Sequence, residues 1–476
     1  MLFNSLAFMI FLPVVFILYW LLPHKFRWML LLVSSYYFYM SWNAKYIVLI
    51  LFTTIVSYSA ARIIEHESNN LKKKIVLLIS GVLCLGVLFV FKYFNFAFDS
   101  ISVVLRLFSV QLNPWVLDLL LPVGISFYTF QTLSYVIDVY RGDIEAEHHF
   151  GYYATFVAFF PQLVAGPIER TKNLLPQIKA IHKFDYDKAT YGLKLIAWGF
   201  FKKLCVADVI AVYVDAAYSS LENNVGFPLL FAVFGFTIQI YCDFSGYSDI
   251  AIGTAKLLDI SLMDNFKSPY FSKSVKEFWS RWHISLSTWF RDYVYIPMGG
   301  NRCGKLRNAI NLLVTFLVSG LWHGANWTFV VWGAIHGVAQ VFERLVDKRL
   351  SVFRKTHIGA FLSWIVVFDF CSVAWVFFRA NSIKDAIYVL SHMFTGISQG
   401  KHYFGNAIGL GYYECAKIAL MVAILSLFDF FSLKMDVIRC IGHKSVVFRW
   451  IIYIAFVMIL YLFSHVGNSS FIYFQF

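Results

Sequence analysis

Long apolar stretches separated by short polar connections run along almost the whole of this chain. A helix that crosses a bilayer needs about 20 largely apolar residues. Because lipid offers no partner to an open backbone group, each stretch is expected to be helical. Several are short or broken by Gly and Pro, so the pattern predicts an all-α integral membrane protein with about 11–13 membrane helices. The stretches lie near 3–22, 28–42, 45–63, 75–94, 119–138, 151–166, 192–217, 228–258, 309–321, 325–345, 359–378, 412–431 and 448–466.

Two polar stretches interrupt this pattern, near 169–190 and near 272–307. We expect both to be amphipathic or re-entrant segments on the cytoplasmic side. In the second, apolar residues recur at three- and four-residue spacing, which predicts an amphipathic helix that lies at a membrane surface or caps a cavity. No linker or soluble domain separates parts of the chain, so residues 1–476 are predicted to form a single polytopic domain. The apolar stripe consists of Val275, Phe278, Trp279, Trp282, Leu286, Trp289, Phe290 and Tyr293.

The composition agrees with a membrane protein and excludes a nucleic-acid-binding one. Hydrophobic residues make up 59% of the chain and charged residues 14%, and the mean hydropathy is +0.66. Although the net charge is +13, the Lys and Arg residues lie in loops between apolar stretches, where the positive-inside rule places them. If the basic loops after the first and third spans face the cytoplasm, the N-terminus is extracytoplasmic.

The seven cysteines predict neither disulfides nor a metal site. They form no CxxC pair and show no Cys/His ligand spacing, and most lie in or beside apolar stretches. We interpret them as small packing residues.

The segment around His323 is the strongest candidate for chemistry. His323 lies between two apolar stretches with Gly320 and Gly324 on either side. A histidine at membrane depth is costly without a polar partner or a water-filled path, so it is a functional candidate. The glycines would let a substrate or another helix approach the ring, and Asn326 would share its side of a continuing helix. A histidine that only bonds a neighbouring carbonyl fits the spacing equally well.

Other polar residues in apolar surroundings give weaker signals. His283 falls at the edge of the apolar stripe, and its local pattern favours a surface histidine beside the headgroups. His336 is interpreted as a packing or gating residue. Asp243 and Asp249 could line a polar path or pair with Lys or Arg from the basic stretches; a structural ion pair has at least equal weight. The GxSxG spelling at 396–400 has no strand before it and is attributed to chance.

Several longer motifs stand out along the chain: the run 160–170, Asp243-Phe-Ser-Gly-Tyr-Ser-Asp249, Trp282-His283, the run 289–297, Trp322-His323-Gly324 and the terminal run 471–476. In this order they resemble the membrane-bound O-acyltransferase family, and within it the bacterial alginate O-acetyltransferase (AlgI-type) branch. The likeness extends over nearly the whole chain. The branch that D-alanylates teichoic acids shares the Trp-His-Gly motif, but Glu-Arg170 after Gly-Pro-Ile favours the alginate-type branch.

The resemblance implies a helical fold around a central funnel, with His323 as the essential histidine and His283 at the family's second polar position. Further residues of this chain match polar positions of the branch whose roles are not assigned, and no bound cofactor is expected. The expected donor is acetyl-CoA or another acyl thioester, from which His323 would promote transfer as general base or as transient acyl carrier. The matching polar positions, with the Trp of the motif as a further substrate-path candidate, are Asp243, Tyr247, Asp249, Arg291, Trp322 and Asn326.

These expectations define the function predicted from the sequence. The chain would sit in the bacterial cytoplasmic membrane and move an acetyl group across it to hydroxyls of an exported or cell-envelope polysaccharide such as alginate. An extracytoplasmic partner transferase would complete the transfer. The alternatives are D-alanyl or peptidoglycan O-acyl transfer, a transporter or flippase for a glycan or lipid-linked precursor, and a non-catalytic scaffold. The missing inverted repeat argues against the transporter.

Overall fold

The computed structural model describes residues 1–113, 115–164, 166–396, 408–465 and 471–472. Helices take up 76% of the chain, and no strand occurs in these ranges. Seven described helical segments are long and apolar enough to cross a membrane, and Leu6–Leu21 is a shorter apolar helix. The all-α membrane fold is therefore confirmed. The total of about 11–13 membrane helices stays a prediction, since it depends on which shorter helices also cross.

The described residues divide into two compact units, residues 1–193 with 251–263, and residues 194–250 with 264–476. The prediction of a single domain is not tested by this division. The first unit contains helices α1 (Leu6–Leu21), α2 (His24–Met40), α3 (Ile47–His66), α4 (Asn70–Leu88), α5 (Phe94–Arg106), α6 (Ile125–Arg141), α7 (Phe150–Ala158), α8 (Phe160–Leu163) and α9 (Thr171–Lys179). Helix α10 (Tyr186–Phe200) begins in this unit.

The second unit holds the remaining helices. A π-helical stretch, Phe201–Ala207, joins the end of α10 to α11 (Asp208–Ser219). Most of α12 (Phe227–Leu257) belongs here, and its last turns belong to the first unit. The other helices are α13 (Val275–Arg281), α14 (Ile284–Phe290), α15 (Lys305–His323), α16 (Trp327–Phe353), α17 (His357–Arg379), α18 (Ile383–His392), α19 (Tyr412–Ser432), α20 (Val437–Gly442) and α21 (Val446–Phe463).

The basic stretch near 169–190 is held to the loop after α12 by side-chain contacts within the first unit. Nε2 of Gln177 donates to the backbone carbonyl of Ser261 at 2.9 Å, and Oε1 of Gln177 accepts from the backbone N–H of Ser261 at 2.8 Å. Asp259 accepts from Lys188 at 2.5 Å and lies 3.0 Å from the His182 ring nitrogen. Although partial burial raises the pKa of Asp259, these two partners hold it below its usual value. The stretch is thus a docked polar segment rather than a free basic loop.

The predicted single amphipathic helix within 272–307 is wrong, because the chain breaks at its centre. Helix α13 ends at Arg281, and His283 adopts the left-handed conformation with φ 42° before α14 begins. The stripe residues Phe278, Trp282 and Leu286 are buried inside the protein rather than at a membrane surface. The segment does line a cavity, as the second half of that prediction required.

Helices α15 and α16 pack against each other at glycines. A Cβ atom on Gly320 would lie 2.2 Å from the carbonyl oxygen of Phe329, and one on Gly333 would lie 2.3 Å from that of Phe316. A Cβ on Gly324 would lie 2.1 Å from the Phe329 ring. The glycines around His323 therefore make room for the next helix, which is one of the two roles predicted for them.

Replacing Gly320 by Ala is expected to lower the stability of the detergent-solubilised protein markedly, because the new methyl group meets rigid backbone. Overpacking of this kind costs about 1–3 kcal/mol or more. The matched control is Gly81→Ala in α4, where a Cβ atom would meet nothing within 4 Å. Thermal unfolding midpoints of the two variants measure the difference. Equal midpoints would show that the close helix contact does not constrain α15.

Candidate active site

His323 is the last residue of α15, and its ring is enclosed by aromatic side chains of the second unit. The ring centroids of Trp322, Trp332 and Phe378 lie 4.9, 5.0 and 5.2 Å from that of the imidazole. The residue is 3% exposed. Helix α15 ends here because Gly324 takes an extended conformation. The imidazole is thus held in an apolar, nearly water-free setting at a helix C-terminus.

His283 is fully buried, so its interpretation as a surface histidine is wrong. Its left-handed backbone turns the side chain inwards between α13 and α14. The Nδ1 atom lies 3.0 Å from Oδ1 of Asn265, and the ring meets Phe244 edge-on at 4.5 Å between centroids. Burial lowers the pKa of the His283 imidazole to about 3. The neutral form is therefore the one present near neutral pH.

Asn265 is a site residue that the sequence analysis missed. Its Oδ1 also accepts from the Ser285 hydroxyl at 2.9 Å, and its Nδ2 donates to the Ser248 hydroxyl at 3.1 Å. The backbone N–H of Ile284 donates to the Asn265 carbonyl at 2.9 Å. Asn265 thus fixes both the break in the chain and the orientation of the His283 ring. No local pattern marks it, because its partners lie 17 to 20 residues away.

Trp322 brings the two predicted histidines together. Its ring centroid lies 4.9 Å from His323 and 6.2 Å from His283. The indole also approaches Phe290 at 6.5 Å. The two positions singled out by the family resemblance thus share one aromatic neighbour, although forty residues separate them in the sequence.

A cavity of about 860 Å³ lies beside this aromatic layer. His323 does not line the cavity. Its lining residues include Ser319, which lies one turn earlier in α15, and also Trp279 and Phe290. Trp279 contacts Trp332 at 5.7 Å between centroids, and Phe290 contacts Trp322. The cavity is therefore separated from the imidazole by two layers of rings.

The cavity wall is mainly apolar, but it carries charges of both signs. Its cationic side chains are Lys276, Arg291 and Arg344, and its carboxylates are Glu343 and Asp347. Glu343 is already paired with Arg354, which also lies 3.9 Å from Asp347. Arg291 is largely exposed and bonds Asp292 at 2.8 Å. The hydroxyls of Ser274, Ser280, Ser287, Thr288 and Thr315 add further polar surface.

Asp243 and Asp249 of α12 form buried ion pairs with a pair of adjacent lysines, which is the structural alternative considered for them. Lys203 lies 2.6 Å from Asp243 and 2.8 Å from Asp208, and Lys202 lies 2.5 Å from Asp249. The lysines come from the π-helical stretch before α11 and not from the two basic stretches. A Lys-Lys pair inside the apolar stretch 192–217 was the signal that could have revealed this.

The same ion pairs hold the end of the described chain. The backbone N–H of Ile472 donates to Oδ2 of Asp243 at 2.7 Å. Phe471 is fully buried and its ring centroid lies 4.4 Å from that of Tyr247. The remainder of the terminal motif, 473–476, lies outside the described residues, as do positions 397–400 of the GxSxG spelling and position 165 of the run 160–170.

Asn326 does not share a helix face with His323, because α15 has already ended. Its side chain caps α16, with Oδ1 accepting from the N–H of Thr328 at 3.0 Å and Nδ2 donating to the carbonyl of Asn381 at 2.9 Å. A capping role accounts for this residue.

Cysteine and metal chemistry find no geometric support in the described ranges. All seven cysteines are free thiols, and four of them are buried. Among the described residues no group of three His, Cys, Asp or Glu side chains could hold a metal ion.

Comparison with known proteins defines the class. The profile of the membrane-bound O-acyltransferase family matches residues 144–380, which include both histidines and Asn265. The chain belongs to this family. It is 42% identical over 399 residues to the probable alginate O-acetylase AlgI of Pseudomonas aeruginosa, covering 83% of this chain and 75% of that protein.

Two further relatives differ in their named activity. The peptidoglycan O-acetyltransferase of Helicobacter pylori is 34% identical over 425 residues, which cover 83% of this chain and 80% of that protein. The teichoic acid D-alanyltransferase of Streptococcus thermophilus is 28% identical over 312 residues, covering 62% and 75%. The chain is an O-acyltransferase, and the named relatives favour acetyl transfer.

Replacing Asn265 by Ala is expected to lower O-acyltransferase activity by about 10²-fold, because a displacement of the His283 ring by about 1 Å has an effect of that size. The protein should still accumulate in the membrane. The control is Asn70→Ala, a change of the same type at an exposed asparagine at the start of α4. Unchanged activity of the Asn265 variant would show that the orientation of His283 is not needed.

Proposed function

We propose that this protein transfers an acetyl group from a cytoplasmic thioester, acetyl-CoA or another acyl thioester, to hydroxyl groups of an exported or cell-envelope polysaccharide. The observation that carries the proposal is the enclosed imidazole of His323, which two layers of aromatic rings separate from a cavity of about 860 Å³ with charged side chains on its wall. The alginate and peptidoglycan O-acetyltransferases among its relatives support an acetyl donor and a glycan acceptor. The protein resides in the bacterial cytoplasmic membrane with its N-terminus outside.

In the proposed reaction His323 acts as a general base. It takes the proton of an acceptor hydroxyl, whose oxygen bonds to the carbonyl carbon of the thioester. The carbon–sulfur bond then breaks, and the thiolate leaves with the proton held by the imidazolium. An imidazole is suited to both steps because its ordinary pKa lies near neutrality. Burial keeps His283 neutral, and Asn265 orients its ring. His283 accepts or donates one hydrogen bond next to this site.

The thioester is proposed to bind in the 860 Å³ cavity, where Lys276 and Arg344 face phosphate or pantetheine groups of the donor. The acyl end follows α15 from Ser319 towards His323, a distance of about one helical turn of 5.4 Å. Its passage requires two rings to change rotamer, Trp279 with Trp332 or Phe290 with Trp322, since these pairs separate the cavity from the imidazole. An extracytoplasmic partner transferase receives the acetyl group or hands it to the sugar.

Transport of a glycan or lipid precursor is less well supported. That alternative needs Asp243, Asp249 and His323 to form an ion path. Both carboxylates are instead neutralised by lysines at 2.5 and 2.6 Å. D-alanyl transfer remains the alternative donor chemistry within the family, on the strength of the teichoic acid relative.

Replacing His323 by Ala is expected to abolish acetyl transfer, with a loss of about 10²–10⁴-fold, because the base is removed. The measurement is O-acetylation of the envelope polysaccharide in cells, normalised to the amount of membrane-inserted protein. His357→Ala, at an exposed histidine of α17, is the control. Normal acetylation by the His323 variant would refute the proposal. Mass spectrometry after a rapid denaturing quench at neutral pH detects an acetyl-imidazole if His323 is instead a covalent carrier.

Replacing Lys276 by Ala is expected to raise the KM for acetyl-CoA about tenfold with little change in kcat, because one charge-assisted contact to the donor is lost. The purified full-length protein in nanodiscs provides the assay. Lys273→Ala, an exposed lysine that does not line the cavity, is the matched control. If both variants keep the KM of the unaltered protein, the donor does not bind through this wall.

A further inference from the structure

Two N–H donors, one on a neighbour of His323 and one on the next ring along α16, lie buried with no acceptor in the described part of the chain. They are Nε1 of Trp332 and Nε2 of His336. Both residues are 0% exposed and belong to α16, one helical turn apart. Buried donors without an acceptor are rare in proteins and ask for an explanation such as a ligand or an ordered water.

The hydrogen bond from Trp279 fixes the tautomer of His336. The Nε1–H group of Trp279 donates to Nδ1 of His336 at 3.2 Å. Because Nδ1 accepts, the ring proton of the neutral imidazole must reside on Nε2. His336 therefore presents an N–H group on the side away from Trp279, and Trp279 is itself part of the cavity wall.

Trp332 connects this donor pair to the candidate base. Its ring centroid lies 5.0 Å from that of His323 and 5.0 Å from that of His336. On the cavity side, Trp279 contacts both Trp332 at 5.7 Å and His336 at 5.1 Å. A small group that passes Trp279 on its way to His323 would meet these two N–H donors.

We propose that Nε1 of Trp332 and Nε2 of His336 bind the carbonyl oxygen of the acyl group while it is transferred beside His323. This inference rests on the proposed function. The inference adds to the proposed function the groups that stabilise charge on the reacting carbonyl oxygen. It also gives His336 a role beyond packing or gating.

The chemistry of the step requires such donors. When the acceptor oxygen bonds to the carbonyl carbon, the π electrons of the C=O bond move onto the carbonyl oxygen. They return when the carbon–sulfur bond breaks and the thiolate takes the proton from His323. Fixed donors in a water-free site stabilise the negative oxygen more than the neutral carbonyl, which raises kcat rather than tightening binding.

The test removes each N–H group while keeping the ring. Trp332→benzothienylalanine replaces the indole N–H by sulfur, and 3-(4-thiazolyl)alanine at position 336 keeps the acceptor nitrogen at the Nδ1 position while it replaces the Nε2–H group by sulfur. Acetyl-CoA turnover by the full-length protein in nanodiscs is expected to fall about 10²-fold in kcat for each variant, with KM nearly unchanged. The thermal unfolding midpoint should stay close to that of the unaltered protein, because ring packing is preserved.

The matched control is Trp375→benzothienylalanine, which changes a buried indole that stacks on Trp332 at 5.5 Å but does not contact His323 within the described rings. Its kcat should be unaltered. Full kcat in both donor variants would overturn the inference, and so would an equal loss in the Trp375 variant. If His323→Ala also turns over acetyl-CoA normally, the proposed function itself fails; if only His323→Ala is inactive, the donor assignment alone is lost.

Discussion

The close contact between α15 and α16 is the constraint on which the candidate site depends. Gly320 and Gly333 face each other so closely that neither can carry a side chain, since a methyl group on either would lie only 2.2–2.3 Å from an opposing carbonyl oxygen. Helix–helix contacts of this kind are typical of membrane proteins, where lipid supplies no hydrophobic drive and packing must supply the attraction. The contact places His323, at the end of α15, against the aromatic residues of α16.

The burial of the His323 imidazole and its position relative to the cavity both follow from the contact between α15 and α16. Trp332 contacts His323 because α16 lies so close to α15. Ser319, one turn before His323 in α15, lines the cavity. An imidazole in such a setting is out of contact with water, and two layers of rings separate it from the cavity. Exclusion of water strengthens electrostatic interactions, so in the proposed reaction the imidazolium and the negative oxygen would depend on the fixed polar groups around them.

Much of this architecture was predictable from the sequence, because helical membrane segments follow from local composition. The helices at 227–257, 357–379 and 412–432 coincide with their predicted spans to within about two residues. The break at His283 was not predictable, because the apolar stripe continues through it at helical spacing. The left-handed residue is stabilised by Asn265, a contact across 18 positions of sequence that no local pattern contains.

The partners of the intramembrane aspartates follow from one feature, the π-helical turn that presents Lys202 and Lys203 side by side to α12. Lys202 pairs with Asp249 alone, whereas Lys203 is shared between Asp243 and Asp208. Loss of one member of a pair leaves an uncompensated ion in a medium of low dielectric constant. Evolution of such a chain can therefore exchange Lys202 and Asp249 only together, and a change at Lys203 must be matched at both Asp243 and Asp208.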